Sequence, residues 1–193
     1  MRVFKLSLIA LAAIFAWTAA AEAVEVKKRR EAPGKPADVW AVVGDFCAIK
    51  DWHPAVAECE QITEGGDTYR ILTLGDGGKI KEKLTDTDDT SYSYEIVEGP
   101  LPVKNYEATL YVGEDDEPDR VEIEWEAEFD AADGTSDEEA SKIISGIFDD
   151  GVSGIKQAAI KAYDAREAAA GNPVAKGRDR SDDDMDDDDD DDE

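Results

Sequence analysis

Apolar and polar residues alternate along the middle of this 193-residue chain. The alternation is clearest at 121–129, where every second residue is a glutamate and the residues between are apolar. Such a strand has one face in water and the other face in a core. Similar segments recur at the spacing of an antiparallel meander, separated by Gly and Asp turns. They predict five more strands, at 56–62, 68–74, 79–85, 91–97 and 106–112.

Three shorter elements are predicted before this meander. Residues 24–30 begin with apolar alternation, which predicts an edge strand. A short helix is expected to open at Pro36, where the missing proline N–H costs nothing, and Gly44 interrupts it. A second helical turn is predicted at 46–50, and the sequence Trp-His-Pro at 52–54 ends it.

A long amphipathic helix is predicted after the meander. Ser136 and Glu139 have the spacing of a capping box, and apolar residues then recur at helical spacing from Ile143 to Tyr163. Three glycines within the helix weaken it by up to about 1 kcal/mol each relative to alanine. We expect this cost to mark places where the helix closely approaches another element, and these places are Gly146, Gly151 and Gly154.

The predicted order is one strand, two short helices, six strands and one long helix. An antiparallel sheet with its helices segregated from the strands is an α+β architecture. If the sheet curls around the long helix, the two cannot touch everywhere, and a cavity remains between them. Cavities of this kind are the usual sites for small molecules.

The charge of the chain restricts its partners. Lys and Arg number 21 and Asp and Glu 48, which gives a net charge of −27. This acidic excess argues against binding to nucleic acid or to an anionic membrane surface, and a cationic partner or simple solubility fits it better. Residues 181–193 hold 11 acids and no base. They predict a disordered tail that either solubilises the domain or loosely holds divalent cations or a basic partner.

The first residues predict export to the periplasm or beyond. Arg2 and Lys5 precede an apolar run at 6–17, and small residues follow it up to Ala23. This is the pattern of a signal peptide cleaved after Ala23. The run is short for a membrane span, and an uncleaved anchor is the alternative. The predicted organisation is a signal peptide at 1–23, one domain at 24–166, and a disordered linker with the acidic tail at 167–193, with no membrane span after cleavage.

Export makes the two cysteines informative. In an oxidising compartment Cys47 and Cys59 form a disulfide if the fold brings them together. The alternative is a pair of small buried thiols that pack as hydrophobic residues. The sequence leaves both states open.

Most signatures of catalysis are missing. The glycines at 75–78 lack the spacing of a phosphate-binding loop, and the acidic run at 86–89 lacks the later ligands of a calcium loop. One histidine and no Cys-x-x-Cys pattern leave no recognisable zinc site. We therefore predict no metal, no cofactor and no firmly assigned catalytic residue.

Glu82 is a polar residue in an apolar setting. It lies between Ile80 and Leu84 at a period of two and shares their face of the strand. On an inward face its carboxylate needs a partner or a raised pKa. A tight hairpin would place Glu82 opposite Ile71, and a one-residue bulge would place it beside Arg70. Glu82 is thus a candidate either for a ligand site or for a structural ion pair.

His53 is the second polar candidate, between Trp52 and Pro54 at a helix-to-strand junction. An imidazole there can bind a ligand carboxyl group, act as a general acid or base, or simply cap the preceding helix. His53 and Glu82 are therefore the candidates for a catalytic pair.

An ordered set of motifs resembles one known superfamily. Val-Trp-Ala-Val-Val-Gly-Asp-Phe at 39–46 and Trp-His-Pro at 52–54 are followed by Glu-Lys-Leu at 82–84, Gly-Pro-Leu-Pro-Val at 99–103 and Asn-Tyr at 105–106. The set resembles the SRPBCC (Bet v 1/START-like) superfamily, and more specifically its bacterial polyketide cyclase/dehydrase group. The resemblance implies a helix-grip fold, in which a seven-stranded antiparallel sheet wraps around a long C-terminal helix, with two short helices and an internal cavity.

The resemblance also implies which residues face the cavity. His53 would take the place of the lysine that anchors the ligand's acid group in the plant abscisic-acid receptors, with a gate at 74–78 and a latch at 101–103. The gate and latch sequences of those receptors are absent, so hormone binding does not carry over. The candidate ligand-binding set, whose aromatic members are also typical core residues, comprises His53, Glu82, Tyr94, Ile96, Leu101, Val103, Tyr106, Trp125, Phe148 and Val152.

Three functions follow as hypotheses. The first is an exported binding protein for a hydrophobic small molecule or lipid. The second is an enzyme of the cyclase, dehydratase or hydrolase type that uses His53 and Glu82. The third is an accessory protein for a periplasmic redox complex with a cationic protein partner, because the chain also resembles exported MxaD-type proteins, which share the Trp-His-Pro and Leu-Pro-Val motifs.

Overall fold

Seven strands and three helices make up residues 23–172, which this computed structural model describes. Residues 1–22 of the predicted signal peptide and residues 173–193 of the predicted linker and acidic tail lie outside the described residues. In chain order the elements are β1 (Val24–Pro33), α1 (Pro36–Val43), α2 (Ile49–Trp52), β2 (Val56–Glu64), β3 (Asp67–Leu74), β4 (Lys79–Asp88), β5 (Ser91–Glu98), β6 (Val103–Glu114), β7 (Arg120–Ala131) and α3 (Asp137–Ala169).

The strands form one antiparallel sheet in the order β1-β7-β6-β5-β4-β3-β2. The first strand of the domain therefore pairs with the last, with Val24 opposite Phe129. α3 lies across one face of the sheet and packs mainly against β1 and β7. We call the face covered by the helices the inner face and the other the outer face. The predicted α+β helix-grip architecture, with its seven strands and long terminal helix, is confirmed.

Aromatic residues join the helices to the inner face. Trp125 of β7 stacks on Phe148 of α3, with ring centroids 4.4 Å apart. Tyr92 of β5 contacts Trp40 of α1 at 5.6 Å. These contacts arise because alternate residues of each strand are apolar, so one face of the sheet is covered and the other is left to water.

The second helical turn begins later than predicted. Residues 45–48 form a turn that the Ala48 N–H closes on the Asp45 carbonyl at 2.8 Å. The α-helix then runs only over Ile49–Trp52. The prediction of a turn at 46–50 was therefore wrong at its start, because Asp45 also accepts the Cys47 N–H through its side chain and stabilises a turn there.

Two of the three glycines of α3 lie at close approaches, as predicted. A Cβ atom at Gly154 would be 1.8 Å from the Trp52 carbonyl oxygen, and one at Gly151 would be 2.2 Å from the Trp125 ring. At Gly146 a Cβ would meet nothing within 4 Å. The prediction of a close approach is therefore wrong for Gly146, which is exposed.

The ends of α3 agree with its sequence signals. The Ser136 hydroxyl accepts the Glu139 N–H at 3.2 Å, which is one half of a capping box. The helix continues to Ala169, a few residues beyond the predicted domain boundary. None of the helices within residues 23–172 combines the length and the hydropathy needed to cross a membrane.

Candidate functional site

Arg70 and Glu82 form an ion pair on the inner face of β3 and β4. The two residues are directly opposite each other in the strand register, so the pairing is shifted from that of a tight hairpin. Arg70 Nε donates to Glu82 Oε2. The arginine is 0% exposed and the glutamate 4%. Of the two partners considered for Glu82, the fold places it beside Arg70.

One NH₂ group of the Arg70 guanidinium has no partner among the described residues. The Nη1 of Arg70 donates to the Phe46 carbonyl at 2.6 Å and to the Tyr92 hydroxyl at 3.3 Å. Its Nη2 is buried and has no hydrogen-bond partner among residues 23–172. The Cζ atom of the guanidinium lies over the rings of Phe46 and Tyr94, at 4.1 and 4.9 Å from the two ring centroids. The cation is thus held by aromatic faces and by three oxygens, and one NH₂ group remains open.

The protonation of this pair follows from its burial. Burial lowers the pKa of Arg70, but the Glu82 carboxylate together with Tyr92 and Tyr94 more than offsets this and leaves the pKa raised. Burial raises the pKa of Glu82, and Arg70 opposes the rise. The site therefore holds a permanent cation beside a carboxyl group that takes up a proton more readily than a surface carboxyl.

A chain of aromatic groups continues from Arg70 along the inner face. The Trp125 Nε1–H donates to the Tyr94 hydroxyl at 3.1 Å, and that hydroxyl is 3.4 Å from the hydroxyl of Tyr106. Burial raises the pKa of both tyrosines. These hydroxyls are therefore neutral hydrogen-bonding groups in an otherwise apolar interior.

His53 has partners for both ring nitrogens. Its Nδ1 accepts the Ala55 N–H at 3.2 Å, and its Nε2 is 3.1 Å from the Ile147 carbonyl oxygen. These partners assign the proton to Nε2 and make the ring neutral. Burial lowers the pKa of the imidazole. The ring is 4% exposed and joins the start of β2 to α3.

His53 and Glu82 have separate sets of partners. The His53 ring contacts the Trp125 ring, with centroids 5.9 Å apart. Trp125 in turn bonds to Tyr94, which lies beneath the Arg70 guanidinium. The fold therefore links the two candidate residues through aromatic side chains, and each has its own hydrogen bonds.

The remaining candidate ligand-binding residues are of two kinds, buried core residues and half-buried residues at the edge of the core. Phe148 and Val152 of α3 are buried, whereas Ile96, Leu101 and Val103 are half-buried and pack against the core. The loop that contains Leu101 is fastened to the end of β7, where the Ala132 N–H donates to the Pro102 carbonyl at 2.9 Å. These half-buried aliphatic residues, in the β5–β6 loop and the strand ends that flank it, form an apolar rim.

Cys47 and Cys59 form a disulfide, with Cα atoms 5.5 Å apart. It ties the connection between α1 and α2 to β2, one of the two edge strands of the sheet. Phe46, which precedes Cys47, is the residue whose carbonyl accepts from Arg70. The disulfide therefore holds the backbone that covers the Arg70 guanidinium.

Sequence reasoning considered Arg70 only as a structural partner and missed its open donor. One signal was present, because Arg70 shares the period-two face of Leu72, which predicts an inward side chain. The carbonyl of Phe46 and the hydroxyl of Tyr92 could not be identified as its partners, since they come from distant parts of the chain.

The surface of residues 23–172 includes two recesses that are relevant to function. An open groove of about 480 Å³ between α2 and α3 reaches His53 and is lined by Trp52, Asp150 and Gln157. A smaller recess of about 180 Å³ lies on the outer face of β1, β7 and β6.

Glutamates line the outer recess in a row. Glu25, Glu128 and Glu107 are successive cross-strand partners on β1, β7 and β6, and Glu95 of β5 continues the row. Within residues 23–172, no group of three or more His, Cys, Asp or Glu side chains has an arrangement that could hold a metal ion. The row is therefore a strip of negative potential on the outer face.

Solved structures with a similar fold are known. XoxI from Bacillus cereus is 34% identical, over 72% of this chain and 98% of that one, with a TM-score of 0.67. Two more distant proteins share the fold alone. A START superfamily protein from Mycobacterium smegmatis is 13% identical, over 71% of this chain and 97% of that one (TM-score 0.59). The Zhui aromatase/cyclase from Streptomyces sp. R1128 is 16% identical, over 77% of this chain and 98% of that one (TM-score 0.60).

A family profile matches most of the domain. Curated proteins gave no match. The profile described as "Polyketide cyclase / dehydrase and lipid transport" matches residues 23–159, which include all seven strands and most of α3. The resemblance expected from the motifs is thereby confirmed, and the chain belongs to the polyketide cyclase/dehydrase and lipid-transport family.

Proposed function

We propose that this protein is an exported binding protein for a hydrophobic small molecule or lipid that carries an acceptor oxygen at one end. The observation that carries the proposal is the buried Arg70 guanidinium, whose Nη2 has no acceptor among the described residues. Arg70 lies on the inner face, between the sheet and the helices. A molecule bound between the sheet and the helices would therefore supply the acceptor for its Nη2 group.

An unpaired donor at this position is unfavourable in the free protein. A buried polar group without a partner costs about 1–3 kcal/mol, and a charged one costs more. The rings of Phe46 and Tyr94 offset part of this cost. A carboxylate or carbonyl oxygen of a ligand would supply the missing acceptor through a charge-assisted hydrogen bond, which is stronger than a neutral one.

The remainder of the ligand would be apolar. The inner face offers Tyr94, Tyr106 and Trp125 near Arg70, and Phe148 faces them from α3. The half-buried rim of Ile96, Leu101 and Val103 would cover an aliphatic or aromatic body. The family description, which names lipid transport beside cyclases and dehydrases, agrees with such a ligand.

A periplasmic or secreted location is part of the proposal. The signal-peptide pattern at 1–23 supports it, as does the disulfide between Cys47 and Cys59, a bond that persists in oxidising compartments.

Native mass spectrometry tests the binding function directly. Protein purified from its own host under non-denaturing conditions should carry a discrete extra mass, and denaturation should release it into organic solvent. Repeated spectra of ligand-free protein, together with no uptake of the fluorescent probe N-phenyl-1-naphthylamine, would contradict the proposal.

Competition tests the acceptor oxygen. A 16-carbon fatty acid should displace N-phenyl-1-naphthylamine at least about tenfold better than the corresponding fatty alcohol, as one charge-assisted hydrogen bond predicts. The double variant Arg70→Met with Glu82→Met should bind both compounds with equal affinity. Equal displacement by acid and alcohol in the wild type would argue against a charge-assisted hydrogen bond from the open donor to the ligand.

A cyclase or dehydratase that uses His53 and Glu82 is the enzymatic alternative. A general acid or base must reach the substrate with a free nitrogen or oxygen. Both nitrogens of His53 already bond to backbone groups, which favours binding over catalysis. Turnover of a polyketone substrate that is abolished by His53→Gln and retained by a control variant at an exposed residue, Lys161→Gln, would favour the enzyme instead.

The outer face supports a second candidate function, an accessory role in a periplasmic redox complex with a cationic protein partner. The specific observation is the row of Glu25, Glu128 and Glu107, which are consecutive across three strands. Pull-down at low salt should recover a basic partner with the wild type and with protein lacking 181–193, but not with the triple Glu→Gln variant. Equal recovery by that variant would exclude this surface.

A further inference from the structure

Two candidate ligand-contacting residues at the start of β6 have an unusual spacing. Val103 is opposite Ala131 of β7. Tyr106 lies beside Phe129, which is an inner-face residue of β7. Side chains of a regular strand share a face only at even spacings. Val103 and Tyr106 are three residues apart, so a regular strand could not direct both inward.

A one-residue bulge resolves this conflict. Lys104 is opposite Asp130 and Glu107 is opposite Glu128, so two residues of β6, Asn105 and Tyr106, oppose one residue of β7. The extra residue restores the inward direction on both sides of the bulge. It brings the Tyr106 ring onto Phe129, with centroids 6.0 Å apart and planes within 24°.

Asn105 provides the backbone conformation of the bulge. Its φ is +51°, in the left-handed region that asparagine tolerates and β-branched residues avoid. Its side-chain Nδ2 donates to Asp130 Oδ2 at 2.6 Å, which fixes the bulge against β7. Asn105 is exposed and itself lies outside the core.

The bulge also marks where β6 parts from β5. The pairing of these two strands extends only to Glu95 and Glu107. Beyond it, the loop that carries Leu101 is fastened to β7 instead, through the Pro102 carbonyl. The position of the apolar rim therefore depends on the bulge.

We propose that Asn105 is a positioning residue of the ligand site, which through its left-handed bulge directs Tyr106 and the rim residues Leu101 and Val103 toward the ligand together. This inference rests on the proposed function and adds to it a determinant of affinity on the outer surface.

The chain offers a matched control. Asp119, in the β6–β7 loop, is the other non-glycine residue with a positive φ among those described, at +60°, and it is also exposed. Asn105→Val and Asp119→Val should lower the melting temperature by similar amounts. Only Asn105→Val should weaken the binding of N-phenyl-1-naphthylamine, by at least tenfold. Asn105→Gly, which regains the left-handed conformation, should bind within twofold of the wild type.

Three outcomes would overturn the proposal: equal affinities for Asn105→Val and wild type, equal losses for Asn105→Val and Asp119→Val, or no rescue by glycine. If Asn105→Val fails to fold, Asn105→Ala takes its place. A nuclear Overhauser contact between the Tyr106 and Phe129 rings gives a second measurement without ligand, and it should persist with glycine and disappear with valine. If the wild type takes up no probe, the proposed function fails, while this contact still decides whether Asn105 positions Tyr106.

Discussion

At the scale of single residues, the buried pair of Arg70 and Glu82 should behave differently from a surface pair. Arg70→Met alone leaves the Glu82 carboxylate without a partner, and breaking a buried pair in this way typically costs about 3–5 kcal/mol. The double variant with Glu82→Met removes both charges and should recover most of this loss. Urea unfolding of the three proteins measures the difference.

A surface pair provides the control for this comparison. Lys83 bonds to Asp67 at the outer surface, at 3.0 Å, and Lys83→Met should leave the unfolding midpoint nearly unchanged because water screens such pairs. A double variant as unstable as Arg70→Met would show that the pair itself stabilises the fold.

The one histidine of the chain should make stability depend on pH. Burial lowers the pKa of His53 below its usual value of about 6.5, with Asp150 and Arg70 as the nearby charges. The unfolded chain therefore binds a proton before the folded one, and the free energy of unfolding should fall as the pH drops from about 6.5 toward the lowered pKa. Urea midpoints between pH 7.5 and 5 measure the slope.

His53→Gln should flatten this slope, since glutamine does not titrate. The remaining pH dependence then reports the carboxylates alone. A slope between pH 6.5 and 5.5 that is equally steep in the variant would contradict the assignment to His53.

At the scale of secondary-structure elements, the glycines of α3 should respond to substitution in opposite directions. Gly146→Ala should stabilise the protein by up to about 1 kcal/mol, because the site is open and alanine favours the helix. Gly154→Ala should destabilise it by about 1–3 kcal/mol or more, because its Cβ would overlap the Trp52 carbonyl. Thermal unfolding of both variants checks the signs, and equal effects would contradict the packing of α3 on Trp52.

The elements were largely predictable, and the details that position the site were not. Alternation along 121–129 predicted β7 because its pattern is local. The pairing of Arg70 with Glu82 depends on the backbone of the turn between their strands, so the sequence left two registers open. The bulge at Asn105 depends on one φ angle, and the partners of His53 are backbone atoms, which carry no sequence signature.

At the scale of the whole molecule, the disulfide should stabilise the domain without being essential to it. Cys47 and Cys59 are 12 residues apart, and closing so short a loop contributes at most about 3 kcal/mol. The double variant Cys47→Ser with Cys59→Ser should fold and unfold at a lower urea concentration. Reduction of the wild type should have the same effect, and reduction of the variant none. An unchanged midpoint would show that the fold alone fixes the Phe46 backbone.

The pairing of β1 with β7 has a consequence for how the chain acquires its shape. Val24 of β1 can pair only after Phe129 of β7 has been synthesised. Helix α3 follows both strands and packs against this pair. Contacts between such distant segments form slowly because a large loop must close first. A growing polypeptide therefore cannot complete its sheet until its final strand has been made. Truncation that removes β1 at one end of the domain, or β7 and α3 at the other, would disrupt the same pair of strands.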